Sequence, residues 1–338
     1  MKTSTESPLL IKVHTEFNSI DFGVIEPVAE VARLQGELNR ILADSVANLP
    51  EPLAQEAHSI LNSYSGRNGD FFSLFYVPIW SFLHWSAASM SIAGKAEILL
   101  TTRTAQAMSL FLHLWDDHLC DGQLSIDILR LQLRTLAWQR YTSSSYQLCD
   151  LVGVDHQIAN EHITQYLTSQ HGAAAVADLD EYCRLFADQV AIWTAIPRLL
   201  DYSISGATVE GPLQSVIKLF AICWRLVDDI QDVDLDLMAG KQTAVWIELD
   251  QTGRQCWDEC QSRSLAVGSL EQNTWQELCR VIKHSGCLAR LLSRIEETLL
   301  TSSQVAADNG WQGLARELEQ SRRGISRALA SKSINRRG

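Results

Sequence analysis

The chain has 338 residues, a formal net charge of −12, 46% hydrophobic residues, 20% charged residues and only seven prolines. That length allows one large domain or two, and the composition supplies a sizeable core while arguing against long disorder. The acidic balance argues against nucleic acid as the main partner, because phosphate backbones need a basic surface, but it admits a small anionic substrate whose charge a metal ion offsets.

Residues 1–25 read as an extended or loosely ordered lead-in without a signal-peptide core. Pro27 can start a first helix through "VAEVARLQGELNRILADSV", whose apolar residues recur every three or four positions. "NLPEPL" ends it, and a second helix runs to about Tyr64. The loop "SGRNGD" follows. Helical spacing then predicts helices over about 70–92, 95–120, 124–148, 154–170, 174–204, 211–237, 251–266, 271–300 and 304–332. There is no convincing strand pattern, fixed-period repeat or Gly/Ser-rich linker. The expectation is one all-α domain over 26–332, a single-domain helical bundle of about eleven helices. "FFSLFYVPIWSFLHW" is interrupted by Pro78 and carries His84, so it reads as buried helix, and no run reaches the ~18 uncharged residues of a membrane span. The eight cysteines form no regular framework. Cys256 and Cys260 are one helical turn apart, but no second pair completes a metal site, so packing of reduced thiols in a cytoplasmic protein is expected.

Two acidic segments stand out. "LVDDIQDVDLDLMAGK" holds Asp228, Asp229, Asp232, Asp234 and Asp236 within nine residues. On one helix Asp228, Asp232 and Asp236 share a face about 12 Å long. Carboxylates about 6 Å apart repel by roughly 3 kcal/mol at an effective dielectric near 20. The macrodipole also disfavours acids at a helix C-terminus. Trp224 and Phe220 continue that face backwards, as a cavity wall with an acidic rim would. Oxygen-only donors suit Mg²⁺; the alternative is a solvated acidic helix end flanked by Arg225 and Lys241. "SLFLHLWDDHLCDGQ" repeats the arrangement 112 positions earlier: Phe111 and Trp115 precede Asp116, Asp117 and Asp121, and Gly122 can end the helix. His113 and His118 read as ordinary hydrogen-bonded or packing residues, since imidazole suits softer metals. Two such ends, facing each other, could share divalent cations whose natural ligand is a diphosphate.

"WDDHLCD" resembles the aspartate-rich motif of class I terpene synthases, and "DDIQDVDLD" has the spacing of their second metal motif, with aspartates at all three ligand positions. "DDIQD" followed by "GK" also looks like the second motif of isoprenyl diphosphate synthases, and "EYCRLFADQVAIW" faintly resembles squalene and phytoene synthases. The resemblance implies the class I isoprenoid synthase fold, an α-helical bundle around a central active-site cavity. It implies three Mg²⁺ ions held by Asp116, Asp117, Asp121, Asp228, Asp232 and Asp236. They would grip an isoprenyl diphosphate while the allylic C–O bond ionises. It places Asp116, Asp117, Arg184, Asp228 and Lys241 in the catalytic machinery, with Arg184, Arg225, Lys241 and Arg322 as diphosphate contacts. Arg225 sits off the Asp228 face, and Arg322 and Arg323 also read as part of a solvated basic tail. Phe75, Tyr76, Trp80, Phe111, Trp115, Trp193, Phe220 and Trp224 are the cavity candidates. The resemblance leaves room for a homodimer and implies no stable membrane insertion.

Chain-elongating members of that superfamily bind a second diphosphate through a basic loop and an Arg-Arg pair after the first motif. Here the loop carries a single arginine, Arg67, and "GQLSIDILR" has no adjacent arginines. The expectation is therefore a terpene cyclase acting on one farnesyl- or geranylgeranyl-class diphosphate. A condensing prenyltransferase or head-to-head synthase is the alternative, and a non-catalytic all-α scaffold the second.

Overall fold

A computed structural model describes residues 16–47, 49–64, 70–90, 95–120, 122–170, 176, 178–206 and 210–334. Among them the chain forms fifteen α-helices and no strand. The first two are α1 (Ala29–Ala47) and α2 (Leu53–Tyr64). The stretch predicted as one helix over 70–92 is in pieces: a 3₁₀ turn at Phe71–Leu74, α3 (Pro78–Trp85) and a second 3₁₀ turn at Ser86–Ser89. Pro78 explains the interruption, because it lacks the N–H a continuing helix needs and instead sits at the start of α3. α4 (Lys95–Cys120), α5 (Ile128–Val152) and α6 (Gln157–Ser169) follow. Asp127 sets the start of α5 by accepting from the Arg130 N–H at 2.8 Å.

The predicted 174–204 helix is two, α7 (Leu179–Gln189) and α8 (Ala191–Ser205), joined at Val190. The predicted 211–237 helix is also two, α9 (Pro212–Gln231) and α10 (Val233–Ala239), broken at Asp232, whose φ of −103° and ψ of 24° are not helical. α11 (Ala244–Glu248) was not foreseen; α12 (Gln251–Val267) was. The predicted 271–300 helix splits into α13 (Gln272–His284) and α14 (Cys287–Asp308) at Gly286, whose φ of +79° only glycine adopts freely. The last is α15 (Gln312–Ile334).

α4 and α9, the two helices that end in the acidic segments, share α3 and α8 as packing neighbours; α9 also packs on α14, and α14 on α15. α9 buries Leu213, Val216, Ile217, Phe220, Leu226, Val227 and Ile230, each worth about 1.5–3 kcal/mol of transfer free energy. A buried carboxylate on α8 fixes where α9 begins. Asp201 accepts from the Leu213 and Gln214 N–H groups at 3.0 and 2.8 Å, and burial raises its pKa to about 6. Gly211 makes room for it, since a Cβ there would lie 2.4 Å from the Asp201 carboxyl carbon.

Residues 16–25 are not loose. Phe17, Ile20 and Phe22 are at most 1% exposed, and the Gln231 side chain donates to the Ile20 carbonyl at 2.7 Å. All eight cysteines are free thiols. Among the described residues no helix is long and apolar enough to cross a membrane.

Candidate active site

At the end of α4, the two adjacent aspartates part company. Asp116 turns inward and is 5% exposed. Arg134, from α5, grips it with both arms of the guanidinium, Nε to Oδ1 at 2.5 Å and Nη2 to Oδ2 at 2.9 Å. The Tyr166 hydroxyl of α6 donates to Oδ2 at 3.1 Å. Burial and the Asp116 charge both push that phenol far above its ordinary range, so it stays a donor. Asp116 is thus a fully satisfied tie between three helices, and its oxygens are committed. This differs from its expected place as a rim ligand. Asp117 is exposed beside it. Asp121 lies outside the described residues, as does Arg67.

α9 shows the same division in reverse order. Asp229 turns inward, 1% exposed, forms an ion pair with Arg225, whose Nε lies 2.9 Å away, and accepts from the Ala244 N–H of α11 at 3.0 Å. Arg225 Nε also donates to the Tyr182 hydroxyl of α7 at 3.0 Å. Asp228, one residue earlier, keeps 42% side-chain exposure and lies 3.5 Å from Arg225 Nη1. The expectation that Arg225 stands off the Asp228 face is therefore corrected. An i, i+3 reach brings its guanidinium onto Asp228 while its Nε holds Asp229.

Asp228, Asp232 and Asp236 do not lie on one continuous helix, because the chain breaks at Asp232. The 4-residue hydrogen-bond rhythm nevertheless survives, with Asp232 N to the Asp228 carbonyl at 2.8 Å and Asp236 N to the Asp232 carbonyl at 2.9 Å. The break leaves Asp236 8% exposed, and the Lys241 N–H bonds to its carbonyl at 2.9 Å. Burial lifts Asp228 to a pKa of about 7, with the charges of Asp232, Asp229 and Asp117 adding and Arg225 opposing. Asp236 is raised by burial and by Asp229 and Asp228, with Arg225 and Lys241 opposing. That Asp117 acts on Asp228 places the two acidic helix ends in one electrostatic neighbourhood.

An aromatic floor lies beneath them. Trp193 of α8 stacks on Trp224 of α9 with ring centres 5.2 Å apart. His113 of α4 meets Trp193 edge-on at 4.4 Å. Phe75 approaches Trp193 and Trp224 at 6.2 and 6.0 Å, and Phe111 stacks on Trp115 at 4.9 Å. Phe220 meets Phe22 of the N-terminal segment at 5.3 Å, and Phe22 meets Tyr76 at 4.7 Å. Trp80 is buried in α3. The expected wall residues thus pack against one another. Burial, followed by Asp21 and Asp228, pushes the Tyr76 phenol up to about 12. Burial holds His113 at about 4, against the pull of Asp117 and Asp116, so its ring is neutral.

Two expected diphosphate contacts are paired with carboxylates. Arg184 is exposed on α7 and pairs with Glu181 at 3.4 Å. Arg322 of α15 is not a solvated tail residue: it bonds Glu296 at 2.7 Å and both oxygens of Glu319 at 2.7 and 2.9 Å.

These helices recur in known structures. A geranylgeranyl pyrophosphate synthase from Corynebacterium glutamicum superposes with a TM-score of 0.67 at 14% identity, covering 92% of this chain and 96% of its own. A polyprenyl synthetase from Streptomyces coelicolor gives 0.60 at 11% identity, covering 87% and 99%. A polyprenyl synthase from Caulobacter crescentus, complexed with calcium and isoprenyl diphosphate, gives 0.56 at 13%, covering 88% and 96%. The chain has the all-α isoprenyl synthase fold. No protein-family model and no curated protein sequence matches it.

The donor chemistry of the site fits a hard divalent cation. Asp117, Asp228, Asp232 and Asp236 offer oxygen only, and the carboxyls of Asp228 and Asp236 are raised first by burial and then by neighbouring aspartates, a charge a cation relieves. Among the described residues no three acidic, His or Cys side chains close on one point. An ion here would therefore complete its shell from one or two carboxylates, water and substrate phosphate, the usual habit of Mg²⁺.

Sequence reasoning missed Arg134, Tyr166, Tyr182 and the inward role of Asp229. Asp229 and Tyr182 lay inside quoted segments, but nothing in the order of residues tells which aspartate of a pair turns inward. Arg134 and Tyr166 carry no local signal, since their meaning depends on α5 and α6 meeting α4.

Proposed function

We propose that the chain is a divalent-metal-dependent isoprenyl diphosphate-using enzyme, and specifically a prenyltransferase that joins an allylic carbocation to a second isoprenyl unit. The observation that carries the reading is the meeting of two acidic helix ends above an aromatic floor, in a fold whose structural neighbours are prenyl diphosphate synthases. Asp117, Asp228, Asp232 and Asp236 would hold the cations. Bound there, the metal neutralises charge on the departing diphosphate as the C–O bond breaks. Lys241 and Arg225 supply positive charge at the flank of the second segment. Asp116 and Asp229 hold the frame. The indole faces of Trp193 and Trp224 stabilise positive charge on carbon, worth roughly 2 kcal/mol for a desolvated ring. Their packing keeps water away. Arg184, paired with Glu181, and Arg322, paired with Glu296 and Glu319, are given no role in this reading.

A cyclase using a single diphosphate is the second reading, and one observation favours it. The two described arginines that come first after the first acidic segment, Arg130 and Arg134, are committed to Asp127 and Asp116, which leaves neither to bind a second diphosphate. The test is melting with Mg²⁺ and pyrophosphate, singly and together, followed by turnover of geranyl, farnesyl and geranylgeranyl diphosphates with and without isopentenyl diphosphate. We expect a combined shift of roughly 3 °C or more and elongated diphosphates only when isopentenyl diphosphate is present. Hydrocarbon or alcohol from one allylic substrate alone establishes the cyclase instead. No shift beyond salt controls, together with no turnover, leaves a scaffold protein.

A further inference from the structure

Directly below the acids lies a base that this chemistry has not used. His113 and Trp224 each stand four residues before an aspartate of their own helix, Asp117 on α4 and Asp228 on α9. Four residues make about one turn, roughly 6 Å of rise. Imidazole and indole therefore sit at one level, where the reacting carbons of a diphosphate held by the acids would lie. Their ring centres are 6.3 Å apart, and Trp193 closes the third side, 4.4 Å from His113 and 5.2 Å from Trp224.

Nδ1 of His113 is buried without a hydrogen-bond partner. An ordinary core histidine avoids that state, because an unmade hydrogen bond in low dielectric is costly; an orphaned group in a folded protein calls for a reason. The Gln189 carbonyl, beside the α7–α8 joint, acts on the imidazole as an acceptor and weakly opposes the effect of burial. In the neutral tautomer that carries its hydrogen on Nε2, the unpartnered Nδ1 keeps its lone pair free. Trp193, the third ring of the box, also has a buried indole N–H without a partner.

We propose that His113 is a catalytic base whose Nδ1 takes the proton lost in the last carbon step. This rests on the proposed function, since it needs an allylic cation formed beneath the acids. The allylic C–O bond breaks with its electron pair leaving on diphosphate. The cation adds to a C=C bond, forming a C–C bond and a new cation. The neighbouring C–H pair becomes the new C=C bond, and the proton moves to Nδ1. The imidazolium returns its proton to the released diphosphate. Condensation and cyclisation both end in such a loss.

The test compares the full-length parent with His113→Phe and His113→Gln, each checked by circular dichroism. All are incubated with Mg²⁺ and geranyl or farnesyl diphosphate, with and without isopentenyl diphosphate. Two product classes are counted per pyrophosphate released: those of proton loss (olefin or elongated diphosphate) and those of water capture (alcohol). In both variants the ratio of proton-loss to water-capture products falls by about tenfold or more. Gln keeps a polar side chain but cannot take the proton, so it behaves as Phe does. A parent ratio retained in either folded variant overturns the inference while leaving the proposed function intact. A parent chain that releases no pyrophosphate overturns both.

Discussion

The two acidic segments solve the same problem with different wiring. Each carries an adjacent Asp-Asp pair with one carboxylate inward and one outward, yet the inward members, Asp116 and Asp229, are neutralised from different places. Asp116 takes its arginine from the next helix and a hydroxyl from the one after. Asp229 takes its arginine from its own helix, one turn back, and that same guanidinium also reaches the outward Asp228. The first pair thus stitches three helices together with its cation 18 residues away in sequence. The second keeps its cation on its own helix, between the inward and the outward carboxylate. The difference separates carboxylates that build the frame from carboxylates free to work, and it can be broken experimentally.

The largest effect is expected on turnover. Asp228→Asn should reduce it by at least about 10³, near 4 kcal/mol, without lowering apo stability. Asp228 is raised to about 7 in the folded chain, first by burial and then by Asp232, Asp229 and Asp117. An unfolded aspartate titrates near 3.9. Between those values the folded state holds a proton that the unfolded state has released, so Asp228 makes stability fall as pH rises, and its penalty is complete above about pH 7. Because the side chain is 42% exposed, solvent screening reduces that penalty to about 1 kcal/mol or less. Urea melts at pH 5 and pH 8 check it: the variant should lose part of the parent's decline. A variant less stable than the parent at pH 8 would contradict the assignment of Asp228 to the working class.

Arg134→Met should show the opposite pattern. It strands a buried carboxylate and should cost about 2–4 kcal/mol of stability, below the full value for a wholly buried pair because Arg134 is 35% exposed. Asp116→Asn added to it should recover much of the loss, since the amide no longer carries an unmatched charge. Denaturation of the two single variants and the double variant measures the coupling. A coupling energy near zero would mean that the α4–α5 tie is ornamental.

Much of the fold was legible because it rests on local chemistry. Apolar spacing gave most helices, and Pro27, Gly122 and the "NLPEPL" break marked real boundaries. The joints at Val190, Asp232 and Gly286 were not legible, since apolar spacing runs on through each of them. Packing across helices decides the bends. The acidic segments could be named as a pair because like charges at helix ends demand a reason. Which aspartate of each pair turns inward depends on Arg134, Tyr166 and Ala244, three partners contributed by other parts of the chain.

The smallest prediction tests whether the second segment's cation is held ready for a ligand. The Tyr182 hydroxyl accepts from Arg225 Nε at 3.0 Å. Burial and the Asp229 charge raise the phenol well above its ordinary range, so it serves as a neutral hydrogen-bond partner at any physiological pH. Tyr182→Phe removes one acceptor from Arg225 while keeping the ring. The expected cost is about 1 kcal/mol of stability, the usual net worth of such a bond. The effect on the combined Mg²⁺ and pyrophosphate melting shift is the sharper readout. If Arg225 answers to an anion, losing the tether redistributes the guanidinium toward Asp228 and the ligand, and the shift changes. If Arg225 is a purely structural ion pair like Arg134, apo stability falls and the ligand-dependent shift stays at the parent's value.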